Sequence, residues 1–280
     1  MNEEPFSVPV GEGALAGHRG GAGPPALILH GGPAWPDYTE GLAAELAGLL
    51  RTHRYTQRGA RPSTVGGPYT IEAHIDDAIA VLDHLEIERA WIVGHSWGGH
   101  LALHLMVAHP DRLRGVVCID ALGAFDRVFA EFGANLRRTL GPDEIARIEE
   151  IEDRRRRGEA TEADLVERSR LVWPRYFADP DAAPAHPSGH IGVECSTGTN
   201  ASISDHFSRF TLATGLPSSK LPALFIHGER DPLPVSSSLE AAALVPDARV
   251  ETIPDCGHFP WMERPGEIRR RVERFLPGTE

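Results

Sequence analysis

The sequence predicts an α/β protein: a mostly parallel sheet covered by helices on both faces, with a helical segment inserted between two strands. Three observations lead there. Short apolar or β-branched runs alternate with stretches of helical period up to about residue 122. From 123 to 219 no apolar strand run appears, and from 220 the alternation resumes. Strand–helix alternation requires parallel neighbours, and a parallel sheet needs cover on both faces. The expected division is therefore a core of residues 1–122 and 220–280 and a helical cap of residues 123–219.

The elements follow in order. Residues 26–29 form a buried strand stopped by His30-Gly31-Gly32-Pro33. Residues 38–51 read as a helix, with Leu42, Leu46, Leu49 and Leu50 on one face. Residues 53–57 form a strand ending at Gln57-Arg58-Gly59. Over 71–85 Ile71, Ile75, Ala78, Ile79, Leu82 and Leu85 recur at steps of three and four behind Thr70, a helix with its N-cap. Strand 91–93, helix 97–109 and strand 116–119 come next. In the insert, 143–172 is charged and helical in pattern, whereas 178–200 is rich in Pro, Ala, Gly and Ser and reads as loop. Strand 224–226, helix 236–245, strand 248–253 and helix 263–276 complete the core. Residues 17–23, glycine-rich and placed before a strand, read as a turn between early strands, not as a dinucleotide loop.

Composition removes several classes. The 280 residues carry a net charge of −12, which argues against nucleic acid or an anionic membrane as partner. No apolar run approaches the roughly 18–20 residues of a membrane span. The N-terminus is acidic and lacks signal-peptide order, and the three cysteines, Cys118, Cys195 and Cys256, are few and widely spaced. Both features predict a cytoplasmic protein with reduced thiols. Lys220 is the one lysine, which disfavours Schiff-base chemistry and P-loop nucleotide binding. The run Arg154-Arg155-Arg156-Arg157 is flanked by acids and reads as a solvated helix.

Gly94-His95-Ser96-Trp97-Gly98 matches G-x-S-x-G between a strand and a helix, the setting that lifts a nucleophilic hydroxyl above a sheet edge. A serine needs a base, and the base needs an orienting group. His258 follows the last strand and Asp231 the strand before it, so all three residues fall at carboxyl ends of strands, where ligands bind in open α/β sheets. The order Ser96, Asp231, His258 suits a triad. Asp120 and Asp255 also follow strands and are alternative acids. The amides of Trp97 and Gly32 are the expected oxyanion donors. His100 and His104 have the spacing of two metal ligands, but the glutamate of H-E-x-x-H is missing. No metal or organic cofactor is expected.

These residues resemble the α/β-hydrolase superfamily over about 25–122 and 220–276. His30-Gly31-Gly32-Pro33, Tyr55-Thr56-Gln57-Arg58-Gly59 and Gly94-His95-Ser96-Trp97-Gly98-Gly99 look like the prolyl iminopeptidase branch, with departures at Ala34, Thr56 and His95. The resemblance implies a cofactor-free serine hydrolase taking a small molecule or short peptide with a free amino terminus. That branch reads the amine with acidic groups of its cap, and Glu194 is the candidate here. Carboxylesterases and lactonases share the core motifs. A small-molecule receptor with this fold and little turnover is the reading from another class.

Overall fold

The computed structural model describes residues 2–187 and 189–276. The strands are β1 (Glu4–Val10), β2 (Gly13–Gly21), β3 (Pro25–Leu29), β4 (Arg51–Tyr55), β5 (Ala90–His95), β6 (Leu113–Ile119), β7 (Ala223–Gly228) and β8 (Ala248–Ile253). They form one sheet in the order β1-β2-β4-β3-β5-β6-β7-β8. The β1–β2 and β2–β4 pairs are antiparallel, and every pair from β4 to β8 is parallel. The central strands are buried along their length, which is why they read as unbroken apolar runs.

Helices α1 (Glu40–Leu46), α2 (Ile71–His84) and α3 (Trp97–Ala108) connect strands of the first half. The Thr70 hydroxyl caps α2 by accepting from the Ala73 amide, as its position predicts. Between β6 and β7 lie α4 (Arg127–Arg137), α5 (Pro142–Arg156), α6 (Glu162–Val172), α7 (Val193–Ser208) and α8 (Thr211–Gly215), with no strand among the described residues. After β7 come α9 (Ser236–Ala242), α10 (Pro260–Glu263) and α11 (Glu267–Phe275). No helix of the described residues is long and apolar enough to cross a membrane. Cys118, Cys195 and Cys256 are free and buried.

Four local expectations are corrected. The helix expected over 38–51 stops at Leu46, because Gly48 takes a left-handed φ of 87° and reverses the chain into β4. Residues 17–21 are strand, not turn, for Gly17 leaves room for the Phe6 ring across the β1–β2 pair. Residues 193–200, expected as loop, begin α7: Cys195, Ser196, Thr199 and Ile203 fall at helical spacing on its buried face. Small polar side chains hide that period from a hydrophobicity pattern. The helix expected over 263–276 is two, α10 and α11, separated at Gly266.

Candidate active site

Ser96 sits between β5 and α3 at φ 56° and ψ −118°. A non-glycine residue in this region stores about 1–3 kcal/mol and needs its surroundings to hold it. Its amide donates to the Ile119 carbonyl at 2.9 Å. A Cβ at Gly94 would lie 2.2 Å from the Gly98 oxygen, and one at Gly98 2.1 Å from the Leu29 oxygen. Both glycines of G-x-S-x-G are thus required by backbone contact. Flanked by buried residues, Ser96 itself is partly exposed.

The loop after β8 carries His258 and the loop after β7 carries Asp231. His258 Nδ1 donates to Asp231 Oδ2 at 2.6 Å, and Asp231 Oδ1 accepts from the Leu233 amide at 2.8 Å. Both side chains are buried. Burial pushes the imidazole down to about 3, so the resting ring is neutral and its Nε2 lone pair is available. The Tyr176 ring, from the insert, stacks on His258 at 4.9 Å between centroids. Asp255 is exposed and paired with Arg230 at 2.6 Å.

Asp120 has a different part. It is wholly buried, and its Oδ1 accepts the Gly228 amide at 2.8 Å. Its Oδ2 is buried without a hydrogen-bond partner among the described residues, and its carboxyl group lies within 4.8 Å of that of Asp231. Burial raises the pKa of both; their contact raises that of Asp120 further and lowers that of Asp231. Burial and the neighbouring Asp231 both disfavour a charge on Asp120, while Asp231 keeps the bonds from the Leu233 amide and His258. His227 lies 3.8 Å from Asp120 Oδ1 and 3.7 Å from Asp231 Oδ2. The three residues could suggest a metal site. However, His227 Nε2 donates to the Leu233 carbonyl at 2.8 Å and Nδ1 is bonded to the Ser238 hydroxyl at 2.9 Å, leaving no free lone pair for a metal. The His100–His104 pair is likewise spent internally: His100 Nδ1 bonds the Gly123 carbonyl at 2.7 Å, and the two Nε2 atoms meet at 3.2 Å.

Gly32 takes a φ of 60°, and the Gly31 amide is occupied by the Tyr38 hydroxyl at 2.8 Å. The Gly32 amide is the next one in this loop, and Trp97 supplies a first-turn amide with no partner inside its helix. Gln57 braces both. Its side-chain amide donates to the His30 carbonyl at 2.7 Å, and its oxygen accepts from Trp97 Nε1 at 2.8 Å. His95, a departure from the iminopeptidase pattern, bridges the loops. Its Nε2 donates to the His258 carbonyl at 2.7 Å, so its Nδ1 accepts from the Tyr38 hydroxyl at 2.7 Å. One chain of bonds thus joins the Gly31 loop, the serine turn and the His258 loop. Sequence reasoning assigned no role to Tyr38 or to the His95 side chain.

Ser96, His258, Gly32 and Trp97 line one cavity of about 410 Å³, whose other wall comes from the insert. Glu194 does not reach it. It is exposed on the first turn of α7 and is not among the lining residues. The charged side chains of the insert wall are Glu152, Arg155 and Arg168, none of which the sequence reading selected.

The chain belongs to the α/β-hydrolase fold family, whose model matches residues 24–265. It is 30% identical to a 2-hydroxymuconate semialdehyde hydrolase of Pseudomonas putida, over 99% of this chain and 97% of that one. A proline iminopeptidase-related protein of Thermus thermophilus superposes with a TM-score of 0.72 at 24% identity, covering 99% of this chain and 98% of that one. A 2-hydroxy-6-oxo-6-phenylhexa-2,4-dienoate hydrolase of Rhodococcus gives a TM-score of 0.72 at 19% identity, over 98% and 99% of the two chains. These two structures share the fold.

Proposed function

We propose that the protein is a serine hydrolase that cleaves a small carboxylic ester or related acyl compound through an acyl-enzyme. The observation that carries this is the 2.6 Å bond from His258 to Asp231 on the rim of the cavity that holds Ser96. Ser96 Oγ attacks the acyl carbon and its proton passes to His258 Nε2. Asp231 keeps the ring in the tautomer with Nδ1 protonated and stabilises the imidazolium that forms. The Gly32 and Trp97 amides receive the developing oxyanion, a contribution of about 3 kcal/mol per donor in comparable sites. His258 gives its proton to the leaving group, then draws one from water, which releases the acyl group and restores Ser96.

An ester or other acyl compound is favoured over an amino-terminal peptide by the cavity's charge. A protonated amine needs a free carboxylate beside it. Glu152 is the carboxylate of the cavity wall, and Arg168 Nε is already in close contact with it. The decisive experiment compares wild type with Ser96→Ala, using a fluorophosphonate probe and a panel of aryl esters and prolyl arylamides. Wild type should be labelled and turn over esters, and Ser96→Ala should lose both by about 10³-fold or more while remaining folded. Labelling that survives in Ser96→Ala overturns the nucleophile. Faster turnover of prolyl arylamides than of esters restores the peptidase reading, and no turnover of any substrate favours the receptor.

A further inference from the structure

We propose that Arg155 anchors a carboxylate of the substrate, so that the preferred substrate is an acyl compound bearing a second, anionic acid group. This rests on the reading of the site as a hydrolase and names the class of molecule it takes.

The argument begins with a guanidinium that the protein itself leaves poorly satisfied. Arg155 lies on α5 and lines the cavity, with its side chain about three-quarters removed from solvent at 24% exposure. Its contacts are long. NH2 reaches the Ser196 carbonyl at 3.4 Å and the Ser196 hydroxyl at 3.3 Å, and NH1 stands 3.9 Å from Glu152. Guanidinium–carboxylate bonds close at about 2.7–2.9 Å, usually in pairs. Arg58 shows what a satisfied interior arginine looks like in this fold: Asp77 meets it with two bonds of 2.7 and 2.6 Å, and the Pro68 carbonyl adds a third at 2.8 Å. Burial pushes the Arg155 guanidinium down from its ordinary value, whereas the carboxylates around Arg54 and Arg58 push theirs up.

The neighbouring charges do not change the sign of this wall. Glu152 is engaged by Arg168, so the three charged groups carry one positive charge in excess, and it resides on Arg155. Much of the remaining insert wall is apolar, including Phe129, Phe132, Leu136 and Val172. In such surroundings an unpaired cation is costly, and an incoming carboxylate would relieve it with bonds at normal length. A protonated amine would meet the excess positive charge. The same wall that rejects an amino terminus therefore selects an acid.

The test uses two nitrophenyl esters with one leaving group: the monoester of glutaric acid, with its free carboxylate, and the same compound with that carboxylate methylated. Wild type should show a KM about tenfold or more lower for the acid, the effect expected of a hydrogen-bonded ion pair. In Arg155→Met the ratio of the two KM values should fall to about one, and Arg155→Lys should keep part of it. Equal KM values in wild type overturn the proposal, as does a preference that persists in Arg155→Met. A lower KM for an ester carrying an amine in place of the acid also overturns it. Binding of glutarate itself separates this proposal from the hydrolase reading. Glutarate should raise the Tm of the Ser96→Ala protein and not that of Ser96→Ala/Arg155→Met, whether or not any ester is turned over. If Arg155→Met does not fold, inhibition of ester turnover in wild type by glutarate but not by dimethyl glutarate supports the anchor. Equal inhibition by the two refutes it.

Discussion

The two walls of the cavity are built on different principles. On the sheet side, His258, Asp231, Asp120 and His95 are buried, and their backbones leave the carboxyl ends of adjacent parallel strands. Their hydrogen bonds determine tautomers and protonation states. On the insert side, Glu152, Arg155 and Arg168 are each 24–32% exposed and are held by ion pairs along and between α5 and α6. Farther out, Arg147 bridges Glu150 and Glu167, and Arg154 meets Asp164. Solvent screens pairs such as those of Arg147, so each adds little to stability. Under the proposed mechanism the contrast separates two jobs: the sheet side holds the reacting groups still, and the insert supplies a charge pattern that can change without disturbing them.

The sharpest way to break this division is at the acid. Asp231→Asn should lower kcat by about 10⁴-fold, the size of the tautomer defect known for a serine-protease triad. Asp255→Asn, at an exposed ion pair, should stay near wild type. Comparable losses in the two variants, read from steady-state kinetics, would mean that burial at the strand end does not define the acid.

A smaller effect is expected at Asp120. Burial and the neighbouring Asp231 disfavour its charged form, and its Oδ1 accepts from the Gly228 amide. Asparagine is neutral and keeps the acceptor, and alanine loses it. Asp120→Ala should therefore lose about tenfold or more in kcat, with Asp120→Asn retaining most activity. If the alanine variant is the more active of the two, the supporting role of Asp120 is refuted.

The smallest effect is distributed over the sheet side. Burial lowers His74, His100, His227 and His258 to about 3, 4, 4 and 3, against an ordinary value of 6.5. The unfolded chain takes up these protons first as pH falls. Stability should thus be complete above about pH 6.5 and decline steadily below it. In the insert, hydrogen bonds from Thr161 lower Asp164 and those from Arg147 lower Glu167, so their contribution is lost only below the ordinary carboxylate range. Calorimetry should show Tm level from pH 7 to 8 and falling from 6.5 towards 4. A Tm that holds steady down to pH 4 would remove the buried neutral histidines as the source.

What the sequence determined by itself was whatever local periodicity and chain order encode. Buried parallel strands must be apolar throughout, so β3, β5, β6 and β7 were legible. The strand–turn–helix setting singled out Ser96, and chain order named Asp231 and His258 for the loops that the structure brings together. Tertiary structure decided the rest. The small polar face of α7 has no hydrophobic period to read, and Glu194 looked apt because it is an acid in an uncharged run, yet it faces outward. Arg155 and Glu152 looked like a solvated charge run, because nothing in the one-dimensional pattern tells which side of a charged helix meets a cavity. The role of Asp120 was hidden for the same reason. A carboxyl group loses its charge this readily only when folding places another carboxyl near it away from water, and that placement depends on two strands more than 100 residues apart.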